Sequence, residues 1–354
     1  MSEKTGQSEK SGTERAGQAA GAVETVGAVE AAETDRAGAY EVVVVGGGAA
    51  GLSAALVLGR ARRRTLVVDA GEPRNAPSAH LQGFLSRDGM PPAELLAVGR
   101  EEIARYGVEL VRDRAVDAVR DAGGEFDVTL AGGRTVHARH LVVATGLKDE
   151  LPKVVGLAER FGRDVLHCPY CHGWEVRDQA FGVLATTALS VHPGTDGDPV
   201  VQGRDPVPAR GGRGRPFRPR SAQAGRGGGP FLVPGRVTEV VVEDDRLTGV
   251  RLADGTAHAP EALFVAPRAV PRNDLLRRLG AELRETPFGA YPVIDERGLT
   301  SVPGLWAAGN ASGFAEQVIT RPAEATARAA INGELLFAEL DTAVAARSGA
   351  ATGA

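Results

Sequence analysis

The sequence predicts a doubly wound α/β protein in which a dinucleotide-binding domain, with a three-layer, Rossmann-like parallel sheet, is interrupted by a smaller inserted domain. Three observations support this fold class. A strand, a glycine-rich turn, a helix and a second strand follow one another between Glu41 and Asp69. A second group of strand-like segments, which includes a Cys-x-x-Cys motif, begins after residue 150. The segment from Pro292 to Leu340 then returns to a strand, a glycine and a long helix.

Length and composition are those of a globular protein with two domains. The 354 residues exceed a typical single domain, and the 43% hydrophobic and 24% charged residues are ordinary values. The formal net charge of −4 argues against a basic nucleic-acid-binding surface. No apolar run reaches the about 20 residues that span a bilayer, and no secretory signal is visible. We therefore expect a cytoplasmic protein without a nucleic-acid or membrane partner.

The first domain begins with a βαβ unit. The β-branched run Glu41–Val45 predicts a strand buried on both faces. A helical pattern over Leu52–Arg62 and a second strand over Thr65–Asp69 follow, so the two strands are expected to be parallel. The other elements expected here are a helix over about Pro92 to Tyr106, a hairpin of Phe126–Leu130 with Thr135–His137 around Gly132 and Gly133, and a buried strand over His140–Ala144.

The same patterns place the remaining strands and the domain limits. Strands are expected at Phe181–Ala185, Arg236–Glu243, Gly249–Leu252, Ala262–Ala266 and Gly304–Ala308, and a helix at about Ala323 to Leu340. The expected domains are the dinucleotide-binding domain over 39–150 and 285–342, the inserted domain over 151–284, a disordered N-terminal tail over 1–38 and a C-terminal tail over 343–354. The N-terminal tail lacks aromatic residues and enough apolar surface to offset the cost of ordering. A wrongly assigned start of the gene is the alternative explanation for it.

The turn after the first strand has the pattern of a phosphate cradle. Gly46, Gly48 and Gly51 form a G-x-G-x-x-G motif, with Ala50 inside it. The first glycine permits a tight turn, the second lets the backbone approach a pyrophosphate, and the third lets helix and strand pack closely. Asp69 ends the next strand 18 residues after Gly51, a placement typical of a carboxylate that bonds ribose hydroxyls. The alternative is a glycine turn that serves packing alone.

The segment around the two cysteines is the most specific in the chain. Cys168 and Cys171 are spaced C-x-x-C, which brings two sulfurs close enough to form a reducible disulfide. The flanking His167 and His172 could supply a proton donor or acceptor near neutral pH. In a reducing compartment such a pair is more often catalytic than a structural disulfide.

Two alternatives for the cysteine pair are a zinc site and an inert buried pair. A structural zinc site needs four ligands, and the chain contains only 2 Cys. Ligation by adjacent His and Cys residues would strain the geometry. The flanking Pro, Gly and His residues do not resemble the apolar surroundings of an inert pair. We therefore expect a redox dithiol and no metal.

These motifs together are similar to the low-molecular-weight thioredoxin reductase family. The matching segments run from about Glu41 to Leu340 and comprise Val45-Gly46-Gly47-Gly48-Ala49-Ala50-Gly51, Ala144-Thr145-Gly146, Cys168-Pro169-Tyr170-Cys171 and Leu305-Trp306-Ala307-Ala308-Gly309-Asn310. The resemblance implies FAD on the first and last thirds of the chain, a redox dithiol at the start of an inserted NAD(P)-type domain, and a homodimer. It also implies a thioredoxin-like protein or a small-molecule dithiol as the partner.

The resemblance assigns a role to each matching residue. Gly46, Gly48, Ala50 and Gly51 would hold the FAD pyrophosphate, and Asp69 would bind the adenosine ribose. The other implied cofactor contacts are Thr145 and Gly146 in the cleft, Gly309 and Asn310 at the ribityl chain, and Gln317 and Val318 at the flavin ring. Asn310 stands where the family has Asp, so an acceptor is kept and a charge is lost. Cys171 would face the flavin C4a atom, and Cys168 would meet the external substrate.

Two departures from the family's pattern bear on function. The reductases commonly follow the cysteine pair with Asp, whereas this chain has His172, and the segment Cys168–Gly173 is similar to a branch that includes flavin-dependent dithiol oxidases. The reductases also carry a second glycine motif for NADPH after the pair. Here Phe181-Gly182-Val183-Leu184-Ala185-Thr186-Thr187-Ala188 stands in its place, without glycines that would admit a pyrophosphate.

The sequence therefore leaves three functional hypotheses. The first is a FAD-dependent thiol–disulfide oxidoreductase, such as a dithiol oxidase, without a functional NADPH site. The second is an NADPH-dependent thioredoxin-disulfide reductase. The third is a flavin-binding relic without activity. In the first two, His172 is the expected proton shuttle, with His167 as the alternative.

The stretch over residues 192–234 does not resemble the rest of the chain. It holds eight of the 21 Pro residues, and no hydrophobic period of 2 or 3.6 survives in it. One hypothesis is a disordered insertion. The other is a frameshift in a GC-rich gene, because the codons for 192–209, read one base later, admit an amphipathic helix followed by a strand. Sequencing the gene against close relatives distinguishes the two hypotheses.

Overall fold

We describe a computed structural model of the chain over residues 40–185, 200–202, 232–233, 235–314 and 330–342. The expected tails at 1–38 and 343–354 lie outside the described residues. The strands in the described part are β1 (Tyr40–Val45), β2 (Thr65–Val68), β3 (Glu109–Val111), β4 (Ala115–Arg120), β5 (Phe126–Leu130), β6 (Thr135–Val143), β7 (Leu147–Glu150), β8 (Val165–Leu166), β9 (Phe181–Ala185), β10 (Val200–Gln202), β11 (Leu232–Val233), β12 (Val237–Glu243), β13 (Arg246–Leu252), β14 (Ala257–His258), β15 (Ala262–Val265), β16 (Arg268–Pro271), β17 (Leu283–Thr286), β18 (Gly289–Pro292) and β19 (Leu305–Ala307).

The helices are fewer than the strands and lie mostly in the first domain. They are α1 (Ala49–Arg60), α2 (Pro92–Ala104), α3 (Leu157–Arg160), α4 (Pro169–His172), α5 (Asp274–Arg278) and α6 (330–342), with a short 3₁₀ turn over Gly309–Ala311. The helix expected from Ala323 is described only from residue 330 onward. None of the helices in the described part is long and apolar enough to cross a membrane.

The sheet of the first domain has the order β3-β2-β1-β6-β5-β4, with β19 also paired to β6. The pairs among β3, β2, β1, β6 and β19 are parallel, as the βαβ pattern predicts. Val43 and Val45 of β1 contribute to one hydrophobic cluster, and Val42 and Val44 contribute to the cluster on the opposite face. A strand buried on both faces uses apolar residues at every position, which explains the uninterrupted valine run.

Strand β6 is one continuous strand, whereas the sequence analysis expected two. Its first half pairs antiparallel with β5, where Val136 lies opposite Val128, and its second half pairs parallel with β1, where Leu141 lies opposite Val43. No glycine or proline interrupts the chain between His137 and His140. The strand therefore continues from the hairpin into the parallel part of the sheet.

The inserted domain contains a parallel sheet with the order β11-β10-β9-β15-β8 and a separate antiparallel sheet β12-β13-β14. Strands β10 and β11 lie within the anomalous stretch 192–234, where we expected no regular structure. Their short apolar segments pair in parallel with β9 and with each other. The remaining residues of that stretch lie outside the described part, so the frameshift hypothesis stays open.

Residues before the predicted domain boundary at 285 already pack against the first sheet. Leu275 and Leu276 of α5, together with Ala281, belong to a hydrophobic cluster of the first domain. Strand β16 pairs antiparallel with β7, so the outgoing and returning segments run side by side. We therefore propose that the chain returns to the first domain close to β16, because the apolar residues after it are buried against the first sheet.

A buried histidine in β6 gives a prediction about acid stability. Trp306 Nε1–H donates a hydrogen bond to His140 Nδ1 (3.3 Å), and burial lowers the pKa of His140 to about 4. The unfolded chain binds this proton near pH 6.5, whereas the folded chain resists it until about pH 4, so stability is lost as pH falls through that window. Between pH 7 and 4, we expect the free energy of unfolding of His140→Asn to fall by roughly 2 to 3 kcal/mol less than that of the wild type.

The measurement is the free energy of unfolding in urea at several pH values between 7 and 4. His80→Asn, at an exposed histidine outside β6, is the control and should keep the wild-type pH slope. An identical slope in the wild type and in His140→Asn would contradict the prediction.

Candidate active site

One cavity of about 850 Å³ contains most of the residues that the sequence singled out. The residues of the first domain come from turns that follow parallel strands and meet at one edge of the first sheet. The cysteine pair and His172 follow β8 of the inserted parallel sheet. The predicted site residues that line the cavity are Gly46, Gly48, Ala50, Asp69, Thr145, Gly146, Gly309, Asn310, Cys168, Cys171 and His172. Gln317 and Val318 lie outside the described residues. The dinucleotide-type turn and the dithiol therefore share one continuous space.

The glycines of the first turn are required by close backbone contacts. Gly46 has φ +114°, and a Cβ there would lie 2.3 Å from the Ala144 carbonyl oxygen. A Cβ at Gly51 would lie 1.8 Å from the carbonyl oxygen of Gly46. The first and third glycines thus allow the tight turn and the close packing that the motif predicts.

No close contact within the chain requires a glycine at Gly48, the second glycine of the motif. A Cβ added to Gly48 would meet nothing within 4 Å, and the residue lines the cavity at the start of α1. The first N–H groups of a helix lack intrahelical partners and attract anions. Gly48 therefore leaves room for a phosphate group to approach the backbone.

Asp69 is already engaged in hydrogen bonds within the chain. Its Oδ1 accepts from the N–H of Gly47 (3.3 Å) and of Gly71 (3.1 Å), and its Oδ2 is paired with Arg112. A Cβ at Gly47 would lie 2.5 Å from the Asp69 carboxyl carbon. Gly47, which lines the cavity, and Arg112, which pairs with Asp69, were not predicted from the sequence. Three consecutive glycines were the available signal for Gly47, whereas nothing local indicated Arg112.

The other predicted cofactor contacts are held by backbone partners. Thr145 Oγ1 donates to the Arg272 carbonyl oxygen (2.5 Å), and Gly146 has φ +68°. Asn310 Nδ2 donates to the carbonyl oxygens of Gly313 (3.2 Å) and Phe314 (3.1 Å). A carboxylate could not donate these two hydrogen bonds. Asn310, which stands where the family has Asp, therefore stabilises the turn that follows it.

The cysteine pair lies at the beginning of α4. Both cysteines are free thiols, and the Cys171 thiol donates to the Cys168 sulfur across a Sγ–Sγ distance of 2.7 Å. The backbone N–H groups of Cys171 and His172 both donate to the Cys168 carbonyl oxygen. This one-turn geometry brings the two sulfurs together, as the C-x-x-C spacing predicts.

The two thiols differ in acidity. The hydrogen bond from Cys171 lowers the pKa of Cys168 to about 6, and the backbone N–H groups of Cys171 and Tyr170 and the charge of Arg74 act in the same direction. The same contact raises the pKa of Cys171, because its proton stabilises the neighbouring thiolate. At neutral pH, Cys168 is therefore the thiolate of the reduced pair.

Arg74 belongs to a loop that the sequence analysis left unassigned. It forms a two-pronged ion pair with Asp149 of β7, with Nε–Oδ2 and Nη2–Oδ1 distances of 2.7 and 2.8 Å. A Cβ at Gly162 would lie 2.4 Å from the Pro77 carbonyl oxygen, so the loop also contacts the segment before the dithiol. The length of the loop between β2 and α2 was a sequence signal for a functional segment, because loops this long are often functional.

Removing the Arg74 charge should make Cys168 less acidic. We expect Arg74→Gln to raise the pKa of Cys168 and to slow its alkylation at pH 6 by about 3- to 10-fold. The measurement is the rate of iodoacetamide modification of the reduced protein between pH 5 and 9, with the modified cysteine identified by peptide mass.

Arg268→Gln is the control for this experiment. Arg268 pairs with Glu150, next to Asp149, and its side chain is 72% exposed. This variant should keep the wild-type alkylation profile. A profile of Arg74→Gln that coincides with that of the wild type would show that Arg74 does not set the acidity of Cys168.

The two histidines beside the dithiol have different surroundings. His167 Nδ1–H donates to the Val265 carbonyl oxygen (3.3 Å), and burial lowers the pKa of His167. His172 Nε2 lies 3.2 Å from Ser78 Oγ, and burial lowers the pKa of His172 as well. Both rings are therefore neutral at pH 7. The two rings differ in one nitrogen: His172, which lines the cavity, has a buried Nδ1 with no hydrogen-bond partner in the described part of the chain. Ser78 was not predicted from the sequence.

No metal-binding cluster is present in the described part of the chain. Those residues include no group of three or more His, Cys, Asp or Glu side chains placed to hold one metal ion. The cysteine pair therefore has no set of neighbouring ligands there that would complete a zinc site.

Comparison with known proteins agrees with this geometry. Residues 40–184 match the family model for pyridine nucleotide-disulphide oxidoreductases. The thioredoxin reductase sirT of Leptosphaeria maculans is 31% identical over 316 residues, which cover 79% of this chain and 89% of that protein. A probable thioredoxin reductase of Arthroderma benhamiae is 40% identical over 151 residues, which cover 41% of this chain and only 37% of that protein. The crystal structure of HlmI has 44% identity and a TM-score of 0.75, and the match covers 90% of this chain and 98% of that chain.

The fold and these relatives define an oxidoreductase of the flavoprotein class. The chain belongs to the low-molecular-weight thioredoxin reductase-like family of pyridine nucleotide-disulphide oxidoreductases, whose members bind FAD. The residues present fit this cofactor. The position of Gly48 is open, and the cavity volume lies within the about 300 to 1,000 Å³ that is usual for cofactor sites.

Proposed function

We propose that the chain is a FAD-dependent thiol–disulfide oxidoreductase that passes electron pairs from a dithiol substrate to Cys168 and Cys171 and then to FAD. The observation that carries this proposal is the single cavity lined by both the glycine turn and the two thiols. In it, Gly46, Gly48, Ala50 and Gly51 would hold the pyrophosphate, and Asp69 would bind the ribose. Thr145, Gly146, Gly309, Asn310, Gln317 and Val318 are the other proposed cofactor contacts.

In the proposed reaction, a substrate thiolate attacks the Cys168 sulfur of the oxidised pair. The Cys168–Cys171 bond breaks, Cys171 leaves as a thiolate, and a mixed disulfide between substrate and Cys168 forms. A second substrate thiolate then attacks the substrate sulfur and releases Cys168. The lowered pKa of Cys168 favours this step, because a more acidic thiol leaves faster.

The products of this exchange are a substrate disulfide and the reduced pair. FAD, when bound, would accept the electron pair and deliver it to oxygen or another acceptor. Arg74 stabilises thiolate charge at the pair, and its ion pair with Asp149 fixes its position. His172 receives thiol protons within the cavity, since burial keeps its ring neutral at pH 7.

The sequence after β9 supports a reaction without NADPH. Strand β9 is the middle strand of the inserted parallel sheet, where a nucleotide-binding turn would follow. The segment Phe181–Ala188 contains only one glycine, Gly182, and this residue lies inside the strand. The backbone there lacks the glycines that admit a pyrophosphate.

The decisive experiment compares two reductants of the yellow holoprotein without oxygen. We expect a dithiol such as dithiothreitol to bleach the flavin absorbance at a catalytic rate and NADPH to leave it unchanged. With air admitted, a panel of dithiols should yield peroxide if oxygen is the acceptor. Bleaching by NADPH at a catalytic rate would instead indicate an NADPH-dependent thioredoxin-disulfide reductase, and inertness to both reductants would indicate a flavin-binding relic.

The family resemblance also leads us to propose a homodimer as the working form. Light scattering during size-exclusion chromatography of the holoprotein tests this assembly. A mass of one chain at micromolar concentration would contradict it.

A further inference from the structure

A serine in the loop between β2 and α2 contacts the histidine beside the dithiol. Ser78 Oγ lies 2.7 Å from the His80 carbonyl oxygen and 3.2 Å from His172 Nε2. A hydroxyl has one proton to donate, and a carbonyl oxygen can only accept. The shorter contact therefore uses the Ser78 proton, and Ser78 Oγ must act as the acceptor toward His172.

This arrangement selects one tautomer of His172. Because Ser78 Oγ accepts, the Nε2 atom of His172 carries the hydrogen. In a neutral imidazole, the other nitrogen is then an unprotonated acceptor. That atom, Nδ1, is buried and has no hydrogen-bond partner in the described part of the chain. The contact with Ser78 is retained when Nδ1 takes up a proton, since Nε2–H donates in both states of the ring.

We propose that Ser78 is a positioning residue that holds His172 in the Nε2–H tautomer, so that Nδ1 serves as the base for thiols reacting at Cys168 and Cys171. This inference rests on the proposed function. In the step concerned, the S–H bond of a reacting thiol breaks, an N–H bond forms at Nδ1, and the thiolate keeps the electron pair. The base loses that proton before the next turnover.

The charged and titratable surroundings of the ring are consistent with this role. Burial is the largest influence and lowers the pKa of His172, while the Glu175 charge raises it. His167 interacts with the ring and is itself kept neutral by burial and by Arg74. The Cys168 carbonyl oxygen also acts on the ring and raises the pKa of His172, because it can accept from the ring once His172 has taken up a proton.

The tautomer can be measured directly in the oxidised holoprotein. We propose ¹⁵N NMR of histidine-labelled protein at pH 8, with the His172 signals among the 7 His residues assigned through His172→Gln. We expect the wild type to show an unprotonated Nδ1 and a protonated Nε2. A protonated Nδ1 in the wild type would overturn the proposal without any variant being needed.

Variants at Ser78 connect the tautomer to the reaction. Ser78→Ala should give a mixture of tautomers and slow flavin reduction by dithiothreitol on the order of 10-fold, with a changed pH profile. Ser78→Thr keeps the hydroxyl and should restore both the tautomer and the pH profile. An unchanged tautomer and pH profile in Ser78→Ala would refute the positioning role.

The same experiment separates this inference from the proposed function. If dithiothreitol fails to reduce the flavin of the wild type, the proposed function is wrong, and the NMR spectrum still decides the tautomer. If the wild type is reduced but Ser78→Ala behaves identically, the inference about Ser78 alone is wrong.

Discussion

Replacing Cys168 by serine is expected to reduce dithiol turnover by at least about 10³-fold, because the mixed disulfide with the substrate can no longer form. Cys171→Ser should cause a loss of similar size, since the pair can no longer alternate between dithiol and disulfide. The two variants should nevertheless differ in their reaction with a disulfide probe. This difference tests the separate roles of the two sulfurs.

The probe is an aromatic disulfide such as 5,5′-dithiobis(2-nitrobenzoate). In Cys171→Ser, the remaining thiol is Cys168, which should attack the probe and retain one half of it as a stable adduct. In Cys168→Ser, the remaining thiol, Cys171, is desolvated and lies near the Glu175 charge, and both influences raise its pKa, so adduct formation should be much slower. Because the chain has only 2 Cys, the mass of the intact protein identifies the adduct without ambiguity.

Flavin content and thermal unfolding of both variants are the controls, and both should match the wild type. Turnover by Cys168→Ser, or faster adduct formation at Cys171 than at Cys168, would show that the sulfur roles are reversed.

The second large effect is expected at Gly48. In Gly48→Val the added side chain projects into the part of the cavity proposed to hold the pyrophosphate, where nothing in the chain lies within 4 Å of the new Cβ. The variant should therefore fold but lose FAD. An overlap of this size costs about 1–3 kcal/mol, which corresponds to roughly 5- to 150-fold weaker binding.

Two further glycine variants complete this test. Gly51→Val should destabilise the fold itself, because its Cβ would lie 1.8 Å from a backbone oxygen. Gly333→Val, in α6, where an added Cβ also meets nothing within 4 Å, should keep both stability and FAD. The measurements are bound flavin absorbance after dialysis and the urea midpoint of the apoprotein. Full retention of FAD by Gly48→Val would remove this turn from the cofactor site.

The sequence predicted those parts of the molecule whose cause is local. The valine run of β1, the glycine turn and the start of α1 are neighbours along the chain, and each constrains the next through backbone geometry. The C-x-x-C pair is likewise formed within one helical turn. These features follow from patterns of a few residues, and the structure contains all of them.

Other features depended on contacts between distant segments. The sequence did not show that β6 is continuous, because its two halves are stabilised by different partner strands. The early return near β16 depends on where Leu275 and Leu276 are buried, which the helical pattern alone does not specify.

The sequence by itself determined that this chain has a dinucleotide-type turn and a redox-type pair of cysteines, because both are set by residues only a few positions apart. Only the tertiary structure decided what surrounds the thiols. Arg74 meets Asp149 across 75 positions, and Ser78 meets His172 across 94. Neither residue belongs to a periodic pattern, so their positions depend on how the loop between β2 and α2 lies against the inserted domain. The acidity of Cys168 and the proposed tautomer of His172 both depend on that packing.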